Sequence, residues 1–155
     1  MNKIDLRAPL VSIDQDYALW CAQQGALLRD GRLAALDREN LAEEIESLGR
    51  SDRREIESRL KVLIAHLLKL RFQPGKAKAG WTATIMEQRG RIRKLLAESP
   101  SLKAYPASVL AEEHGYARAE ASAETGLPIE EFPAECPFTI EQILDADFYP
   151  EEGNS

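Results

Sequence analysis

Residues 36–74 read LDRENLAEEIESLGRSDRREIESRLKVLIAHLLKLRFQP, and the spacing of their apolar residues decides the fold class. Ile56, Leu60, Leu63, Leu67 and Leu70 recur at intervals of four, three, four and three, which is one stripe of an α-helix. Ile64 and Leu68 widen that stripe, and Ser58, Val62 and Ala65 leave the opposite face small or apolar. A helix apolar on nearly every side sits inside a bundle. The spacing therefore predicts a central helix over 54–72. Gln73, Pro74 and Gly75 end it, because proline has no amide donor and disfavours helix in the residue before it.

Upstream, Asp37 suits an N-cap, and Leu36 with Leu41 suits a hydrophobic staple. Leu41, Ile45 and Leu48 share a face and are expected to meet the core, with Glu44 between them and Asn40 one turn back. Glu39, Glu43 and Glu46 point to solvent. A break is expected near Gly49, because an unbroken helix would carry Asp52, Glu55 and Arg59 onto the core stripe.

The flanks are also helical. Residues 1–13 read as an extended arm. Asp14 or Asp16 caps a first helix with an inner stripe of Tyr17, Trp20, Cys21, Gln24, Leu27 and Leu28, ended by Gly31. A basic loop over 76–80 precedes a helix from Trp81 to Ala97, whose buried face is expected to hold Trp81, Ile85, Gln88, Ile92, Leu95 and Leu96. Ser99 and Pro100 start a short turn, and Pro106 sits inside a long helix carrying Val109, Leu110, Tyr116, Ala117 and Ala121. Gly126, Leu127 and Pro128 read as its Schellman ending. Thr139 with Gln142 makes a capping box for a last short helix over 140–146, stapled by Phe138 and Ile143. The fold class is all-α: a single-domain helical bundle of about five helices with a long central helix, spanning 14–150, followed by a disordered tail at 151–155.

The totals set bounds. The 155 residues suit one domain large enough to form a core without staples. Cys21 and Cys136 fit no zinc or redox spacing and read as free thiols of a reducing cytoplasm. No apolar run is long enough to span a bilayer or form a signal-peptide core, so no membrane partner is expected. The net charge of −6 is unevenly spread: −2 over residues 1–68, +7 over 69–97 and −11 over 98–155. Such asymmetry marks either a nucleic-acid site or two halves of one protein that attract each other.

Three constellations carry possible chemistry. Asn40, Glu44 and His66 would place a carboxylate beside an imidazole, which moves the histidine pKa across neutrality and suits acid–base work. The alternative is a buried hydrogen-bond cluster that fixes helix register. Lys69 and Arg89 are candidates for holding an anionic, phosphate-bearing substrate beside that cluster. No Glu-x-x-His pair of a di-metal bundle is present, so no metal and no cofactor is expected; Glu43 and Glu46, or Asp52 and Glu55, read as solvated helix charge. The basic segment 69–94 has the charge for nucleic acid but no accompanying recognition motif, so internal neutralisation is favoured.

A family resemblance covers residues 14–150. It rests on Trp20, Leu28-Arg29, Leu36-Asp37, Asn40-Leu41, Glu43-Glu44-Ile45-Glu46, Leu48-Gly49, His66-Leu67-Leu68-Lys69, Gln73-Pro74, Thr84-Ile85 and Gln88-Arg89. It continues through Pro100-Ser101-Leu102, Glu124-Thr125, Phe132-Pro133, Cys136-Pro137 and Phe148-Tyr149-Pro150. In these the chain resembles the bacterial family called domain of unknown function twenty-nine. Leu70 stands where an aromatic is common, and Gly80 where serine is. The resemblance implies an all-helical, soluble, bacterial protein and supplies no activity.

The favoured function is a non-enzymatic interaction or regulatory module with an unknown protein partner or self-association. The alternatives are an enzyme built on Asn40, Glu44 and His66, and nucleic-acid binding through 69–94. The sequence leaves open whether the chain is an enzyme.

Overall fold

The computed structural model describes residues 4–73 and 78–151. The expected helix ending at Pro74 and Gly75, the first part of the basic loop and nearly all of the expected tail lie outside the described residues. Five α-helices are described: α1 (Tyr17–Arg29), α2 (Arg38–Phe72), α3 (Lys78–Glu98), α4 (Tyr105–Thr125) and α5 (Ile140–Leu144). Single 3₁₀ turns at Leu33–Ala35, Pro100–Leu102 and Ile129–Glu131 join them, and no strand occurs among the described residues. The chain divides into two compact units, residues 1–50 and 51–155, and the division falls inside α2.

In the first unit, Asp16 caps α1 by accepting from the Leu19 amide at 3.0 Å. Gly31 follows the helix in the left-handed region, φ 72°, a conformation that costs glycine nothing. The buried face of α1 is Trp20, Gln23, Gln24 and Leu27. This corrects the expected stripe, because Tyr17, Cys21 and Leu28 are exposed. The face is turned by two glutamine side chains that satisfy backbone groups. Gln23 accepts from the Val11 amide and donates to the Pro9 carbonyl, which fastens the arm. Gln24 accepts from the Asp37 amide at 2.8 Å. Such burial is tolerated because each amide meets partners.

α2 starts at Asp37, whose carbonyl accepts from the Leu41 amide at 2.9 Å. It runs without interruption to Phe72, so the expected break at Gly49 does not occur. Glycine inside a helix costs only about 1 kcal/mol relative to alanine, and a signal that weak does not stop a long helix. Ile45 and Leu48 consequently do not meet the core: they are 64% and 69% exposed.

The second unit is built on the other half of α2. Ile56, Leu60, Leu63, Ile64, Ala65, Leu67 and Leu68 are completely buried, and Leu70 nearly so. Ile85 and Ile92 of α3, Ala117 and Ala121 of α4, and Phe132, Phe138 and Ile143 close around them. α3 begins at Lys78 rather than Trp81, so Gly80 is helical and its carbonyl accepts from the Thr84 hydroxyl. Arg89, not Gln88, is the deeply buried polar residue of α3. α4 carries Pro106 in its first turn and ends at Gly126, φ 73°. The capping box of Thr139 and Gln142 is present at α5, a helix of only five residues.

Candidate functional site

Asn40 and Glu44 project from the first turns of α2; Asn40 turns back to Asp37, just before the helix, and Glu44 is taken up by α1. Asn40 donates to Asp37 Oδ2 at 2.8 Å, and the Trp20 indole donates to the same oxygen at 3.1 Å. Glu44 Oε2 accepts from the Tyr17 hydroxyl at 2.6 Å. That bond, with Cys21 adding to it, pushes the Tyr17 pKa up to about 12. The Tyr17 and Trp20 rings stack beside each other, 6.1 Å apart.

The bond from Asn40, helped by that from Trp20, holds the Asp37 carboxyl below its ordinary range against a smaller opposing effect of burial. A depressed folded pKa contributes stability above the unfolded value, near pH 4, and loses it as pH falls through the folded value. Acid titration followed by Trp20 fluorescence is expected to show this loss below about pH 4. Asp37→Asn should remove that acid limb, and an unchanged profile would contradict the assignment.

His66 lies in the second unit. Its Nδ1 is 2.8 Å from the Val62 carbonyl oxygen, one turn back, so Nδ1 carries the proton and Nε2 offers a lone pair. Lys69 Nζ stands 3.4 Å from that Nε2. Lys69 is itself buried, donates to Glu124 Oε2 at 2.6 Å and lies 5.2 Å above the Trp81 ring. Burial, with the Lys69 charge adding to it, lowers the His66 pKa; the Val62 carbonyl and the Glu124 and Glu120 carboxylates oppose this.

Of the two residues expected to pair, Glu44 is bonded to Tyr17 and His66 to Val62. Glu44 belongs to the first compact unit and His66 to the second. The pairing rested on a turn at Gly49 that would have folded one helix back on the other. His66 and Lys69 do come together, but as an internally satisfied cluster in which the free imidazole nitrogen already faces a donor.

Arg89 does not present its charge outward. Nε donates to the Ile143 carbonyl at 2.8 Å and Nη2 to the Gln142 carbonyl at 3.3 Å, so the guanidinium caps the last turn of α5. Its ion lies 5.2 Å from the Tyr149 ring, and burial lowers its pKa. On the outer face of α3, Arg91 pairs with Glu87 and Lys94 with Glu98, each within the helix. Part of the basic segment is thus neutralised by its own helix rather than by the acidic C-terminal half.

A second polar group along α2 and α4 was not read from the sequence. Tyr105 donates its hydroxyl to Glu57, and Arg53 lies 5.4 Å from the Tyr105 ring. Lys61 pairs with Glu120 at 3.9 Å. Glu113 and His114 are both buried. The signal was present: Val109, Glu113, Ala117 and Ala121 repeat every four residues, which puts a carboxylate on an apolar line. A depression of about 330 Å³ is lined by Glu57, Ser58, Lys61, Glu113 and Tyr116. A shallower groove of about 550 Å³ runs past Arg54, Glu55, Arg59 and Gln88, where Arg59 bonds to both Glu55 and Gln88.

Among the described residues no group of three histidine, cysteine, aspartate or glutamate side chains is placed to hold a metal ion. Cys21 and Cys136 are unbridged. No described helix is long and apolar enough to cross a membrane. Neither the curated proteins nor the solved structures contain a match to this sequence. The family model described as domain of unknown function DUF29 matches residues 13–149, nearly the whole chain, and the protein belongs to that family.

Proposed function

We propose that this chain is a non-enzymatic interaction module that pairs with a second copy of itself through residues 38–50 of α2. The observation that carries the reading is the stripe of Leu41, Ile45 and Leu48, spaced four and three, in which Leu41 is half-buried and Ile45 and Leu48 stand 64% and 69% exposed. That spacing is the seam of a helix pair. Ala42 and Gly49 border the same stripe one heptad apart, both exposed, and a Cβ added at Gly49 would meet nothing within 4 Å. One face thus holds large side chains and the gaps to receive them, the self-complementary pattern that a twofold pair requires. The residues first nominated for catalysis also support a structural reading. Asn40 and Glu44 are bonded to Asp37 and Tyr17, His66 to Val62, and Lys69 to Glu124.

Sedimentation equilibrium of the full chain is expected to give a dimer at tens of micromolar. Ile45→Glu and Leu48→Glu should each yield a monomer with unchanged circular dichroism, because surface substitutions that touch no internal partner change stability by less than about 0.5 kcal/mol. A wild-type chain that stays monomeric up to millimolar concentration, or a dimer indifferent to both substitutions, would end the proposal.

A further inference from the structure

Glu113 lies on the buried side of α4, in line with the completely buried Ala117 and Ala121, and is itself 7% exposed. Its oxygens stay open to the surface, so a donor can reach them from outside. Among the described residues none is bonded to them. Burial first, and then the Glu57 and Glu112 charges, hold its pKa above the ordinary range, and only Lys61 pulls the other way. Its carboxylate lines the depression of about 330 Å³ together with Glu57, Ser58, Lys61 and Tyr116. Glu57 is fixed there by the Tyr105 hydroxyl. Lys61 lines the same depression and lies 3.9 Å from Glu120, so one ammonium stands against the three carboxylates Glu57, Glu113 and Glu120. Tyr116 is 57% exposed and offers a ring to whatever enters.

We propose that this depression binds an organic ammonium group, with Glu113 and Glu57 as counter-charges, the Ser58 hydroxyl as a further acceptor and the Tyr116 ring over the alkyl-ammonium. An ammonium distributes three hydrogen bonds among such acceptors and is attracted by a ring face. A divalent metal would want more oxygen ligands than two carboxylates provide, and an anion would be repelled by the same pair. Binding keeps Glu113 ionised. Affinity therefore rises with pH through the Glu113 titration and then levels off, with Glu57 and Lys61 facing it from α2 and Glu112 and Tyr116 from its own helix.

The test is a ¹⁵N-resolved NMR titration of the full chain with n-butylammonium and 1,5-diaminopentane at pH 8 and pH 5, with neutral N-butylacetamide as control. Saturable shifts are expected at Ser58, Lys61, Glu113 and Tyr116 with both amines and none with the amide, with weaker binding at pH 5. Glu113→Gln should lower affinity by about tenfold or more, as expected for loss of a charge-assisted contact, while its melting temperature stays level or rises. Lys61→Met should tighten binding, and Tyr116→Ala should weaken it; these two exposed or half-exposed positions keep the test valid should Glu113→Gln fold poorly. Absent saturation, equal binding of the neutral amide, or affinities unmoved by these substitutions would overturn the proposal.

Discussion

Leu63→Ala and Leu67→Ala are each expected to lower the free energy of unfolding by about 2–5 kcal/mol. Both side chains are completely buried, on the half of α2 around which the second unit is built. Each substitution removes the transfer free energy of three carbons and leaves a cavity that the close-packed core around it closes only in part. Urea unfolding followed by circular dichroism measures the loss. A change below about 1 kcal/mol at both positions would remove α2 from the centre of the unit, since the lower end of the range for buried leucine is twice that.

Trp20→Ala is expected to cost the first unit about 3–5 kcal/mol. Trp20 is 1% exposed, and its indole N–H is bonded to Asp37, the residue from which α2 starts. Trp20→Phe retains most of the bulk and removes the N–H, so its smaller loss isolates the hydrogen bond. Amide exchange at Gln23, Gln24 and Leu41 reports on this unit directly. Protection there that survives Trp20→Ala would show that the tryptophan fills space without holding α1 to the start of α2.

Much of the fold was legible because it depends on local chemistry. The stripe from Ile56 to Leu70 reports its own burial through spacing alone. The cap at Asp16, the left-handed glycines 31 and 126 and the box at Thr139 are short-range devices with fixed residue requirements. What was not legible depends on margins. Gly49 looked like a stop, yet its cost is smaller than the gain of a helix continuing on both sides, and once α2 runs through, Ile45 and Leu48 face outward. Gln24 was placed on the inner face of α1 by spacing, but Gln23 was missed for a different reason: its burial depends on backbone groups of the arm that no local pattern reveals. Within the candidate site, His66 and Lys69 were correctly placed next to each other by helical spacing, but Glu124, 55 residues on, is a partner that only the tertiary structure names.

Arg89 ties the docking of α3 to a segment made much later in the chain. Its guanidinium is buried in α3, but the carbonyls that receive it belong to Gln142 and Ile143. While a ribosome is still making α4, packing α3 into place would strand a cation without acceptors, at a cost that favours leaving that helix undocked. The docking of α3 and the placing of α5 are therefore coupled, since the carbonyls of one replace the water lost by the cation of the other.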